Sequence, residues 1–238
     1  MSSNEEKIDF SLSNDELLNK AITFHQTGNF DKAELYYKKI LENFPNNTMV
    51  LTNLATLALQ LGQIEYGIEV IEKSLKIDSN QPSGFNNHGV MLQKLNRNEE
   101  ALVSFNIAID QKHDYAEAHA NKANSLSVLR FFEEAQESYD LSIKFKPDYL
   151  KAFLNKGRSL KENGQFEKAL LSFQKAHSIN PNIEFLSGEL LETNMHLCIW
   201  DDLEDSLINI RQKIKASIKV INPFPFLGLL DDPSLQRK

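Results

Sequence analysis

Residues 150–183 read LKAFLNKGRSLKENGQFEKALLSFQKAHSINPNI, and their spacing decides the fold. Phe153, Gly157 and Leu160 recur at i, i+4 and i+7, the period of one helix face. Ala169, Phe173 and Ala176 repeat that spacing after Asn163-Gly164-Gln165. A glycine there supplies the left-handed conformation that ends a helix, so the stretch predicts two antiparallel helices joined by a tight turn. Upstream, the same pattern returns every 34 residues without insertion or deletion. Ala33/Tyr37, Gly67/Ile71, Ala101/Phe105 and Ala135/Tyr139 match Ala169/Phe173, while Ala21, Ala55, Gly89 and Ala123 match Gly157. A third column runs Pro45, Ser79, His113, Pro147 and Pro181, and Gly28, Gly62 and Asn96 stand where Gly164 does. The units are therefore 14–47, 48–81, 82–115, 116–149 and 150–183. Ser13 with Glu16 predicts a capping box on the first helix. Hairpins of this kind bury their apolar faces only by stacking. The small columns allow close approach, and the large residue at the twenty-fourth place is expected to fill the groove between neighbouring units.

Composition narrows the function classes. The chain has 238 residues with 33 acidic against 26 basic side chains, a net charge of −7 and a pI near 5.4. No basic block is present, which argues against a nucleic-acid partner, since that affinity comes from clustered Lys and Arg. No apolar run approaches the roughly 20 residues of a membrane helix. The opening Met1-Ser2-Ser3-Asn4-Glu5-Glu6 lacks the basic and apolar segments of a signal peptide. Cys198 is the single cysteine, so no internal disulfide framework is expected. A cytoplasmic location is the expectation.

A 34-residue unit with small residues at places 8 and 20, a large one at 24 and often proline at 32 resembles the tetratricopeptide repeat. The resemblance covers residues 14–183 and departs from the pattern at Gly67, Ser79 and His113. It implies an all-α, right-handed superhelical solenoid whose inner wall is made by the first helix of each unit.

One column on that implied inner wall is uniform. The sixth place of every unit is asparagine: Asn19, Asn53, Asn87, Asn121 and Asn155. With 23 asparagines in the chain, five in one named column arise by chance with a probability of about 10⁻⁵. A primary amide offers two donors and a carbonyl acceptor, matching the C=O and N–H of an extended peptide. The five are therefore candidate peptide-binding residues, and the expected partners are extended polypeptide segments of other proteins. Asparagine is also frequent at this place in the repeat itself, where it bonds its neighbours or is simply tolerated. Tetratricopeptide arrays that clamp a C-terminal carboxylate use Lys and Arg where this chain has Leu18, Ser83 and Asn87, so that chemistry is not expected.

The periodicity fades after Ile183. Leu186, Leu190, Leu191 and Leu197 suit one more helix, and Leu203, Leu207, Ile210 and Ile214 another, so residues 184–216 read as a degenerate capping repeat. Between them lies Cys198-Ile199-Trp200-Asp201-Asp202, and further on Asn222-Pro223-Phe224-Pro225-Phe226 and Asp231-Asp232-Pro233. An array followed by Cys-x-Trp-x-Asp, a helix, a Pro-Phe turn and Asp-Asp-Pro is similar to the junction of O-GlcNAc-transferase-like proteins, including the plant proteins called SPINDLY. That likeness implies a recognition arm that presents Ser or Thr of acceptor proteins to a two-Rossmann glycosyltransferase region. It also makes residues 217–238 a junction toward a catalytic domain absent from this chain, with residues 1–13 a tail. Asn222 replaces the histidine of the animal members. A free-standing adaptor for protein assembly is the alternative reading, and a homo-oligomer or a separately encoded catalytic chain are further expected associations. Exposed Phe224, Phe226, Leu227, Leu229 and Leu230 would favour such association.

Catalytic and cofactor chemistry finds no motif. Gly28, Gly62, Gly67, Gly89, Gly157 and Gly164 already serve the repeat, and no Gly-rich phosphate loop is present. His196 and Cys198 form one ligand pair without the second that zinc needs. His88, His119 and His177 fall in repeat helices, Trp200 is expected to seal the end of the array, and no cofactor or metal is expected.

Overall fold

Each predicted unit folds as one helix hairpin in the computed structural model, which describes residues 13–201, 203–216 and 219. The first hairpin is α1 (Asn14–Gln26) with α2 (Phe30–Asn43), followed by α3 (Thr48–Gln60) with α4 (Ile64–Ile77) and α5 (Pro82–Lys94) with α6 (Asn98–Gln111). The chain divides into two compact units by packing, and these six helices belong to the first, which ends at His113. The second unit carries α7 (Ala116–Val128) with α8 (Phe132–Phe145), α9 (Leu150–Glu162) with α10 (Phe166–Ile179), and α11 (Leu186–His196) with α12 (Leu203–Lys215). No strand occurs among the described residues.

The hairpins share one turn. In the first five, a 13-residue helix is followed by a 14-residue helix, and the residue two before the second helix has positive φ. Gly28, Gly62, Asn96, Arg130 and Gly164 take φ between 58° and 77°. The following N–H then reaches back five residues, as in Asn29 to the Phe24 carbonyl at 2.9 Å and Gln165 to that of Leu160 at 2.8 Å. This is the Schellman closure, which satisfies carbonyls the helix end would otherwise leave open. Arg130 adopts that geometry with a full side chain, at a cost of about 1 kcal/mol relative to glycine. The capping box at Ser13 forms as predicted: its side chain accepts from the Glu16 N–H, and the Glu16 carboxylate accepts from the Ser13 N–H at 2.9 Å.

The two small columns and the large column become the interior. Ala21, Ala55 and Ala123 are fully buried, as are Ala33, Ala101, Ala135 and Ala169, and so are Tyr37, Ile71, Phe105, Tyr139 and Phe173. Within its own hairpin the large residue also meets the small column: the Phe105 ring lies on Gly89 and the Phe173 ring on Gly157. The ring therefore sets the spacing of the two helices within a hairpin. Ile210 and Ile214 of α12 are buried with half-buried Leu203 and Leu207, which matches the face read from the sequence. Trp200 departs from expectation. It is 49% exposed, so about half of its surface stays open. The Pro-Phe turn, the Asp-Asp-Pro element and the apolar residues from Phe224 to Leu230 lie outside the described residues.

Candidate functional site

The sixth-place asparagines stand in the middle of the first helix of each hairpin, on α1, α3, α5, α7 and α9. Asn19 is exposed, while Asn53, Asn87, Asn121 and Asn155 are half-buried. Half-burial has a cause that the sequence did not show. Asn87 donates its Nδ2 to the Thr56 hydroxyl of the preceding hairpin at 2.9 Å. Asn155 donates in the same way to Asn124 Oδ1 at 3.0 Å. Both bonds link the sixth place of one unit to the ninth of the unit before, 31 residues earlier. The next seam in the second unit keeps the geometry with different chemistry. Glu189 holds the sixth place there, and its Oε1 accepts from Arg158 Nε at 3.0 Å. Its other oxygen accepts from Lys161 Nζ at 2.6 Å, and Lys161 also reaches Glu192 at 2.9 Å.

Two of the five carboxamides are thus part of the seam between hairpins. Each still keeps one N–H and its carbonyl, because an amide carries two donors and an acceptor. Asn121 has an interaction of its own. Sequence reasoning found the asparagine column but missed the ninth column, Ile22, Thr56, Val90, Asn124 and Arg158, against which it is read. Polar identity at the ninth place is the signal that marks a stitched seam.

The seam between the first two hairpins is different. Its ninth-place residue is Ile22, which offers no acceptor, and Asn53 lines a cleft of about 460 Å³. The cleft is also lined by Ile22, His25, Phe30, Tyr37 and Gln60. His25 spans it, with Nδ1 3.2 Å from the Tyr37 hydroxyl and Nε2 3.2 Å from Gln60 Oε1. Burial pushes the Tyr37 phenol up to about 12, so it stays protonated. Gln60 Oε1 only accepts, so Nε2–H donates to it, while Nδ1 meets the Tyr37 hydroxyl. The His25 ring stands edge-on to both Phe30 and Tyr37, with centroids 6.1 and 6.0 Å away.

His88 Nδ1 lies 3.0 Å from the Ser104 hydroxyl, and burial holds its pKa below the ordinary histidine value despite Glu72 at 3.6 Å. Burial, then the nearby Lys213, lowers that of His177. His196 stacks on Phe166 with centroids 4.3 Å apart, and Cys198 is exposed. No cluster of three metal-ligating side chains occurs among the described residues, and none of their helices is long and apolar enough to cross a membrane.

Family models of the tetratricopeptide repeat match residues 17–47, 36–69 and 150–183. Among solved structures, PilW, described as a widely conserved type IV pilus biogenesis factor, is 19% identical with a TM-score of 0.77, over 94% of this chain and 97% of that one. MamA is 22% identical with a TM-score of 0.61, over 71% of this chain and 92% of its own. YrrB, described as a TPR protein with an unusual peptide-binding site, is 22% identical with a TM-score of 0.57, over 70% of this chain and 86% of its own. At these identities the likeness establishes the fold. No curated protein matches the sequence.

Proposed function

We propose, from the premise that the chain is a tetratricopeptide-repeat protein, that it binds extended segments of other polypeptides through the carboxamides of its first helices. The observation that carries this reading is the column itself, with Asn19, Asn53, Asn87, Asn121 and Asn155 all at the same place on successive hairpins. Even the stitched members keep a donor and an acceptor for a peptide unit. Because the handle is an amide rather than a charge, it grips main chain with little regard to sequence. Likeness in fold to YrrB, itself described as having a peptide-binding site, supports the same class of ligand.

The test is the double variant Asn87→Ala/Asn121→Ala, titrated with a fluorescent pool of randomised twelve-residue peptides. Loss of two peptide hydrogen bonds should weaken binding about tenfold. Losing the Asn87–Thr56 stitch should lower the melting temperature only by about 2–4 °C. Unchanged affinity would retire the proposal.

A finer reading makes the bound polypeptide the acceptor of an O-GlcNAc-transferase-like enzyme, with this chain its recognition arm in the cytoplasm. The Cys198-Ile199-Trp200-Asp201-Asp202 junction supports it, as do half-exposed Ile199 and Trp200, apolar surface that a further domain would cover. A neighbouring reading frame for a nucleotide-sugar-binding catalytic region is what this reading requires, and its absence would leave a free-standing adaptor.

A further inference from the structure

We propose that the cleft between the first two hairpins is a side-chain subsite that selects tyrosine in the polypeptide held by the asparagine column. The inference rests on the reading above and adds sequence preference to it. Its starting point is the contrast among seams within each unit. Where the ninth place is Thr56 or Asn124, the next asparagine bonds back to it, and where it is Arg158, Glu189 does the same. At Ile22 that closure is chemically unavailable, and there the cleft of about 460 Å³ opens beside Asn53.

The lining specifies the occupant. Phe30, Tyr37 and His25 present three rings, with His25 already edge-on to the other two, a corner that accepts a fourth ring in the same tilted geometry. Ile22 completes the apolar wall. Beside His25 the polar groups are amides: the Asn53 and Gln26 carboxamides and the Gln60 amide nitrogen, since Gln60 Oε1 is occupied by His25. No Asp, Glu, Lys or Arg side chain lines the cleft, so a charged side chain would be desolvated without a full counter-charge. A ring that carries one hydroxyl uses every part of this surface. Its face meets the aromatic corner, its O–H donates to Asn53 Oδ1, and its oxygen accepts from Asn53 or Gln60 N–H. Phenylalanine fills the corner but leaves the amides unanswered, and glutamine answers the amides but forfeits the rings.

A positional-scanning library of twelve-residue peptides, one position fixed in turn to each side chain, tests this on the full chain. Tyrosine should be favoured at one position by about tenfold over phenylalanine, the worth of two hydrogen bonds, and by about tenfold or more over glutamate or lysine. The Ile22→Thr variant should copy the Thr56–Asn87 stitch onto Asn53. It should cut the preference for tyrosine to less than about twofold and leave binding of the randomised pool within about threefold of the parent. A pool that binds without side-chain preference, or a tyrosine preference that Ile22→Thr leaves intact, overturns the subsite alone. A pool that fails to bind at all overturns the main-chain reading and the subsite with it.

Discussion

Gly157→Ala destabilises the chain by about 2 kcal/mol in urea unfolding, although alanine is intrinsically the better helix former by about 1 kcal/mol. The reason is distance. A Cβ at this position would stand 2.5, 2.7 and 2.9 Å from three atoms of the Phe173 ring. That ring is fully buried among Leu154, Leu160, Ala169 and Leu186, so it has nowhere to retreat. The substitution wedges α9 from α10. Combining it with Phe173→Ile should recover at least half of the loss, because the second hairpin already pairs Ala55 with Ile71, both fully buried. Gly89→Ala against Phe105 should behave like the single variant, its Cβ falling 2.6 Å from the ring. Gly67→Ala should not. Its nearest neighbours are the Met91 Cε and Sδ at 3.1 Å, the end of a flexible thioether that can give a few tenths of an ångström. There the helix preference should win, by up to about 1 kcal/mol. Equal effects at the three glycines would show that ring position does not set the helix spacing.

Glu189→Lys should loosen the last hairpin, costing about 3 kcal/mol, whereas Glu189→Gln should cost about 1 kcal/mol. The native carboxylate is largely enclosed and serves both Arg158 and Lys161 from α9. Reversing its sign would put three cations at one seam with Glu192 as the remaining anion. Glutamine, by contrast, keeps the shape and one acceptor, reproducing the amide chemistry of the seams above. Limited proteolysis should cut α12 first in the lysine variant, with α7–α10 still protected. One molar salt should narrow the gap between the two variants, since about half of Arg158 is in solvent and is screened. If both variants melt with the parent, the ion-pair cluster contributes nothing to the closure of the array.

The hairpins were legible because their rules are local. Spacing of apolar residues, a glycine fifteen places into the unit and a capping box each act within a few residues, and the helix limits fall where the repeat phase puts them. Arg130 was not legible, since nothing about arginine announces a left-handed turn, and only the repeat phase forces it there. The seams were half legible. The asparagine column stands out in the sequence because all five members agree, but the ninth place varies, and its meaning appears only when Asn87 and Thr56 are seen to touch. Trp200 misled for a related reason. Burial of an aromatic side chain depends on what packs over it, and that information does not reside in its neighbours along the chain.

Within the first unit, Asn53 and Asn87 are unequal as proposed peptide grips, since one of the Asn87 hydrogens is already committed to Thr56. A row of identical amides would let a bound strand creep along by one residue at little cost. On the proposed peptide-binding reading, that inequality pins the register of a bound strand.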